Sequence, residues 1–223
     1  MKRSDRIPKD SDSISEGVIR FTLNHRYQPF LVEDLYRVNT LLDWRQILFD
    51  HDMIGGGNPS RYNGLGFGNL SLRVDQHRFI ITSSQTGSQA QLTDQDLTMI
   101  NQYSLTEGAI QSVGLKKPSS ETLTHAAIYA CSPSINWIFH VHSPSLWNNY
   151  VSLGIPSTPE GIQYGTIDMA CAAQSLLGTS PEQGVLFAMG GHTDGMISCA
   201  GTAQKTGELL LHTLEKSKHL TKC

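Results

Sequence analysis

Two histidines one residue apart open the chemical reading of this chain. In Trp137-Ile138-Phe139-His140-Val141-His142-Ser143 the run is apolar and rich in strand formers, which predicts a β-strand. Side chains alternate faces along a strand, so His140 and His142 share a face, where two imidazoles can hold one cation. A third histidine, His192, follows another apolar stretch in Met189-Gly190-Gly191-His192-Thr193-Asp194-Gly195. The flanking glycines let the backbone turn sharply and come close to a site. A histidine pair alone also arises where one ring is hydrogen-bonded and the other faces solvent. With the third, the set suits zinc or a similar cation with open coordination positions, as in a catalytic centre. His25, His51, His77, His125, His212 and His219 lack this context, and surface or packing roles are expected for them.

Three further segments could handle anions. Lys116-Lys117-Pro118-Ser119-Ser120-Glu121 leads into a predicted helix. Free backbone N–H groups and the positive dipole end there suit a capping serine or a bound anion. Glu121 is expected in the first helical turn, where dipole complementarity alone explains a carboxylate. Gly66-Phe67-Gly68-Asn69-Leu70-Ser71 and Thr82-Ser83-Ser84-Gln85-Thr86-Gly87 offer amides and hydroxyls that suit phosphate oxygens, although such residues also make ordinary turns. No P-loop lysine follows either glycine turn. Lys116 and Lys117 are the nearby cations, and no arginine clamp is evident.

These residues must be positioned by a chain of mixed periodicity. Strands are expected at Val18–Leu23, Asn69–Val74, Arg78–Thr82, Leu97–Tyr103, Ala109–Val113, Asn136–Val141, Val185–Met189 and Met196–Cys199, the second and third forming a hairpin. Helices are expected at Leu31–Phe49, Ser120–Ala130, Ser145–Leu153, Ile167–Leu177 and Thr202–Lys218. Residues 54–68 read as loop. Runs of strands flanked by helices point to an α+β fold or a layered sandwich with a mixed or antiparallel sheet.

Composition narrows the class. The 223 residues fit one domain, read as residues 16–223 behind a flexible tail at residues 1–15. Apolar content of 39% and charged content of 17% are those of a soluble globular chain. A formal charge of −3 provides no basic footprint for nucleic acid and no polybasic face for a membrane. No segment reaches transmembrane length, and the polar N-terminus lacks the apolar core of a secretory signal, so a cytoplasmic location is expected. Cys131, Cys171, Cys199 and Cys223 show no CxxC spacing; they read as three small core residues and one loose terminal thiol.

Taken in order, GFGNLSLR, TSSQTG, PSSETLTHAAIY and HVHS, then YGTIDMA and the His192 segment, resemble the class II aldolase/adducin family from about Leu31 to the C-terminus. The resemblance implies a three-layer α/β/α sandwich with a largely antiparallel central sheet, assembled as a homotetramer. It implies His140, His142 and His192 as ligands of a divalent metal, most simply Zn2+, with Mn2+, Fe2+, Co2+ and Ni2+ also suited to three imidazoles. It implies Glu121 as acid/base, where the family's epimerases carry aspartate. Asn69, Thr86, Gly87, Ser119 and Ser120 match its phosphate contacts. The implied activity is metal-dependent carbon–carbon cleavage through an enediolate, on a small sugar phosphate or related hydroxy-carbonyl compound. Dehydratases of the family share the motifs, and its adducin-like members are non-catalytic binding modules. The chain departs from the pattern in three places. The third-ligand segment reads His192-Thr193-Asp194-Gly195 where the family has His-Gly. The proton-donating tyrosine has no aligned counterpart, with Tyr150 and Tyr164 downstream of HVH. The segments before Asn69 differ from the standard aldolase N-terminus.

Overall fold

The computed structural model describes residues 17–220; the expected N-terminal tail and Cys223 lie outside the described residues. Among these residues eight strands form one sheet: β1 (Thr22–Tyr27), β2 (Asn69–Arg73), β3 (Phe79–Thr82), β4 (Leu97–Ser104), β5 (Ala109–Gly114), β6 (Trp137–His142), β7 (Val185–Ala188) and β8 (Gly195–Ala200). Their order across the sheet is β1-β5-β4-β3-β2-β6-β8-β7. Only the β1–β5 pair is parallel, so the sheet is largely antiparallel. The helices are α1 (Leu35–Asp50), α2 (Thr122–Cys131), α3 (Pro144–Asn149), α4 (Ile167–Ser175) and α5 (Ala203–Leu220). No helix among the described residues is long and apolar enough to cross a membrane.

Strand alternation divides the interior into two cores. Leu70, Leu72, Ile80, Trp137, Phe139 and Val141 pack with Val38, Leu41 and Trp44 of α1, Leu146 of α3 and Leu210 of α5. Phe79, Ile81, Ile138, Phe187 and Ile197 pack on the opposite face with Leu123 and Ala126 of α2 and Met169 and Ala173 of α4. Helices therefore cover both faces of the sheet, which gives the expected three layers. It also explains why every residue of β2, β3, β6 and β8 is buried.

The element boundaries differ where tertiary contacts override local pattern. β1 begins at Thr22, not Val18, because it is placed by pairing with Ala109–Gly114 at the sheet edge. Helix α1 begins after Asp34, whose carboxylate accepts the Arg37 N–H, and leaves Leu31 exposed outside it. Helix α3 is shorter than the expected Ser145–Leu153 and starts at Pro144 behind a capping Ser143. Of the cysteines expected in the core, only Cys199 is buried; Cys131 and Cys171 lie on the outer surfaces of α2 and α4.

Helices α1 and α5 meet at a glycine. A Cβ at Gly207 would lie 2.1 Å from the buried Trp44 ring. Replacing Gly207 by alanine gains about 1 kcal/mol of helix propensity, but forcing Trp44 aside costs about 1–3 kcal/mol. Gly207→Ala is therefore expected to lower the thermal midpoint by a few degrees, and a midpoint raised above that of the parent would contradict this packing.

Candidate metal centre and anion cradle

His140 and His142 project from β6 toward α2, on the face that carries Ile138. The His140 Nδ1–H donates to the Met196 carbonyl at 3.2 Å, which leaves Nε2 with its lone pair facing away. His142 is held through its backbone: its N–H donates to Met53 O at 2.9 Å, and its carbonyl accepts from Arg61 Nη2 at 3.1 Å. Its ring is packed by Tyr62, edge-on at 4.8 Å, and by Phe67 at 5.4 Å.

His192 reaches the same place from the turn between β7 and β8. Its N–H bonds to Met189 O and its carbonyl accepts from Gly195 N–H. The turn lies so close to residues 158–162 that a Cβ on Gly191 would sit 1.7 Å from Ile162 O, and one on Gly190 2.1 Å from Thr158 O. Those two glycines are required by the approach itself. Asp194 takes a left-handed φ of +65°, its carbonyl accepting from Ser143 N–H and its carboxylate from the Tyr62 hydroxyl at 2.6 Å. The extra residues relative to a His-Gly turn are thus fastened on both sides. Tyr164 stacks on the His192 ring at 4.6 Å.

The three histidines each offer one ring nitrogen within 4.8 Å of the others, and all three side chains are buried. Burial, reinforced by the neighbouring His192 and His140 rings, holds His142 well below the usual imidazole range. A ring that stays neutral keeps the lone pair a metal needs. Buried, converging nitrogens, with His140 oriented by its bond to the Met196 carbonyl, fit a divalent cation.

Glu121 lies 3.3 Å from this cluster, measured from Oε1 to His192 Nδ1. It is not in the first helical turn as expected but just before it, at the N-cap position, and its side chain does not cap the helix. Ser119 precedes it, its hydroxyl accepting the Glu121 N–H at 3.3 Å and its carbonyl the Thr122 N–H, while the Glu121 carboxylate turns inward and is 2% exposed. Burial alone would raise its carboxyl; the His192, His140 and His125 rings more than offset this and leave it below the ordinary value. Glu121 is therefore an ionised, nearly dry carboxylate.

A cleft beside the cluster is lined by Asn69, Thr86, Gly87, Ser119, Ser120, Glu121 and His140. The residues read from the sequence as candidates for handling an anion thus meet one another and the imidazole cluster. Thr86 contributes differently from expectation: its hydroxyl donates to Ser83 O at 2.7 Å, so its loop offers backbone N–H groups instead. Asn69 Oδ1 is buried and has no partner among the described residues. Tyr150 is remote, packed in the α1–α5 core against Trp147, whereas Tyr164 is at the site.

Sequence reasoning missed the residues that support the site. Tyr62 and Arg61 lie in the stretch read as featureless loop. Tyr62 and Asn63 both have left-handed φ, +49° and +55°, which non-glycine residues adopt only when their surroundings force it. The Arg61 guanidinium sits over Phe67 at 4.2 Å and forms a 2.9 Å ion pair with Asp52. The signal was an Arg-Tyr pair inside a glycine-rich loop, bulky residues where turn chemistry needs none. His125, given only a generic packing role, is fully buried and bonds Ser71 Oγ at 2.7 Å.

Comparison with known proteins places these features in context. The profile of the family described as Class II Aldolase and Adducin N-terminal domain matches residues 59–203. A methylthioribulose-1-phosphate dehydratase of Microcystis aeruginosa is 40% identical over 78 residues, 34% of this chain and 36% of that protein. A 3-oxo-tetronate 4-phosphate decarboxylase of Haemophilus influenzae is 37% identical over 82 residues, 36% of this chain and 35% of that protein. The chain therefore matches only about a third of the length of these curated relatives. Among solved structures, L-fuculose-1-phosphate aldolase from Thermus thermophilus superposes with a TM-score of 0.61 at 18% identity, covering 82% of this chain and 92% of that one. A sugar-phosphate aldolase from Thermotoga maritima gives 0.59 at 15% identity, covering 83% and 94%. At these identities the structural likeness concerns the fold.

The Tyr62–Asp194 bond and the buried His125 are each open to measurement. Tyr62→Phe removes the hydroxyl that ties Asp194 and keeps the ring against His142. Divalent-metal affinity, measured by chelator competition, is expected to weaken about 10- to 100-fold, as when an outer partner of a ligand is lost; unchanged affinity would show that the tie does not serve the cluster. The second concerns acid. Burial, with His140 adding to it, pushes the His125 imidazole down to about 3, below its unfolded value of 6.5. The unfolded chain then binds a proton that the folded chain refuses, so stability is lost as pH falls from about 6.5 toward 3, by up to roughly 1.4 kcal/mol per unit for this group. Denaturant midpoints across that window should fall less steeply in His125→Asn, whatever its starting stability; an equal slope would contradict this.

Proposed function

The chain belongs to the class II aldolase and adducin N-terminal domain family, and on that premise we propose that it is a divalent-metal-dependent lyase acting on a small sugar phosphate or a related hydroxy-carbonyl compound. One observation carries the reading: three buried imidazoles and one buried carboxylate converge at the end of a cleft lined by hydroxyls and backbone amides. The proposal assigns the metal to His140, His142 and His192, with Zn2+ the first choice and Mn2+, Fe2+, Co2+ or Ni2+ compatible with the same donors. When bound, such a cation supplies Lewis acidity at the reacting oxygens, a contribution of several kcal/mol.

The protein's own groups do the rest. Glu121, ionised and shielded from water, takes a proton from the substrate and returns one to the product, which requires hydrogen-bond reach of the reacting carbon or hydroxyl. Asn69, Ser119, Ser120 and the Thr86–Gly87 backbone hold the substrate's distal phosphate, so the reacting end arrives oriented. Tyr164 and Phe67 close the flanks of the imidazole cluster against bulk water. Carbon–carbon cleavage of the aldolase type is the first reading. Water loss is the second, favoured by the 40% identity to a dehydratase over 78 residues. Retention of Glu121 beside all three histidines supports catalysis over a purely adducin-like binding role. The proposal extends to a cytoplasmic homotetramer, by the family pattern.

The test combines metal analysis with product mass on a panel of phosphorylated ketoses and acid sugars. Two fragments indicate an aldolase, loss of one water a dehydratase and loss of carbon dioxide a decarboxylase. Glu121→Gln is expected to keep the metal and lower kcat about 10²- to 10⁴-fold. A chain that binds no divalent ion, or an E121Q variant as fast as the parent, would overturn the assignment.

A further inference from the structure

Among the described residues, no lysine or arginine lines the cleft that the proposed reading assigns to phosphate: Asn69, Ser83, Ser84, Gln85, Ser119 and Ser120 are all uncharged. A cation nevertheless lies behind it. Arg45 projects from the buried face of α1, among Leu41, Trp44 and Leu48, and is 2% exposed. Its Nη2 donates to Thr86 O at 3.0 Å and Gly87 O at 2.9 Å, and its Nη1 donates to Ala90 O at 2.9 Å. Among the described residues no carboxylate forms an ion pair with it. Asp96, one of the two acids whose charge it feels, is occupied by Lys116 Nζ at 2.6 Å and by the Thr93 N–H. Burial lowers the guanidinium to about 10, so it stays charged at neutral pH.

The orientation of the loop follows from these bonds. A trans peptide plane points its N–H opposite to its C=O. Because the carbonyls of Thr86 and Gly87 face Arg45, the N–H groups of Gly87 and Ser88 face away from it. Gln85 takes a left-handed φ of +60° at the head of the same loop. The N–H groups of Gln85, Thr86, Gly87 and Ser88 donate to no acceptor among the described residues. Successive unpartnered N–H groups in such a turn form an anion-binding concavity. A buried charge that has carbonyl dipoles and the Phe49 ring at 4.6 Å but no counter-ion is costly in a low dielectric, and a dianion seated across the loop would offset that cost.

We propose that Arg45 is the positioning residue of the anion subsite: it pulls the carbonyls of residues 86, 87 and 90 inward, presents the 85–88 amides to a phosphate monoester of the substrate, and supplies the positive field that the cleft's own side chains lack. This rests on the reading of the cleft as the substrate's phosphate site and is independent of the metal.

The test uses inorganic phosphate as probe and the full chain. Phosphate affinity by calorimetry, divalent-metal affinity and the thermal midpoint are measured for the parent, Arg45→Lys and Arg45→Met. Phosphate affinity should fall at least about tenfold in R45M, with R45K intermediate because it keeps the charge without the fork; metal affinity should hold in both. A folded R45M that binds phosphate like the parent overturns the proposal. Hydrogen exchange of the parent avoids any dependence on variant folding: phosphate should slow exchange across residues 85–88, and unaltered exchange there also overturns it. A parent that binds metal but not phosphate removes this proposal and the phosphate cleft together while leaving the metal centre. A parent that binds phosphate but no metal removes the lyase reading, and loss of that phosphate binding in R45M would still uphold this proposal.

Discussion

Along β6, Trp137, Phe139 and Val141 pack beneath α1 and α5, while Ile138, His140 and His142 face α2. Because the pleat repeats every two residues, a slip of one would send the aromatic rings toward α2 and the imidazoles into the other core. The apolar register that builds one core therefore fixes two histidines beneath the start of α2. Neighbouring strands reinforce it: Asn69 of β2 pairs with His140, and Ile197 of β8 pairs with it on the other side. Glu121 then needs only the N-terminal end of α2, and His192 only the adjoining β7–β8 turn, to reach the same point.

Holding that point together carries a cost. Three imidazoles and a carboxylate are removed from water, and buried polar groups are destabilising unless they are bonded or bind an ion. The surroundings are correspondingly over-determined. Tyr62 touches His142 with its ring and the His192 turn with its hydroxyl, so one side chain links two arms of the cluster. Its left-handed backbone, shared with Asn63, is of a kind that costs about 1–3 kcal/mol per residue and persists only where packing enforces it. Gly195 serves the same end by absence: a Cβ there would lie 3.2 Å from His192 Cγ and 3.3 Å from His140 Cε1.

The parts legible in the sequence were those governed by local periodicity. The alternation in WIFHVH placed both histidines on one face, and the glycines around His192 marked a close approach that the turn does make. The fold class followed from the order of strands and helices together with the motif resemblance. What escaped notice depends on contacts distant in sequence. Arg45 meets Thr86 and Gly87 across some 40 residues, and Tyr62 meets Asp194 across 132. A lone arginine on an otherwise apolar helix face was a usable signal, because such a residue must find partners when buried. Glu121 was read into the helix because an acid in a first turn needs no further explanation; only its inward side chain, which makes no cap hydrogen bond, distinguishes it.

The central claim is that His140, His142 and His192 bind one ion together. X-ray absorption on the zinc-loaded chain counts the imidazoles directly. One zinc per chain with three imidazole nitrogens at about 2.0–2.1 Å and no sulfur shell is the expected result. A sulfur shell near 2.3 Å, or fewer than three imidazoles at the bound ion, would contradict it.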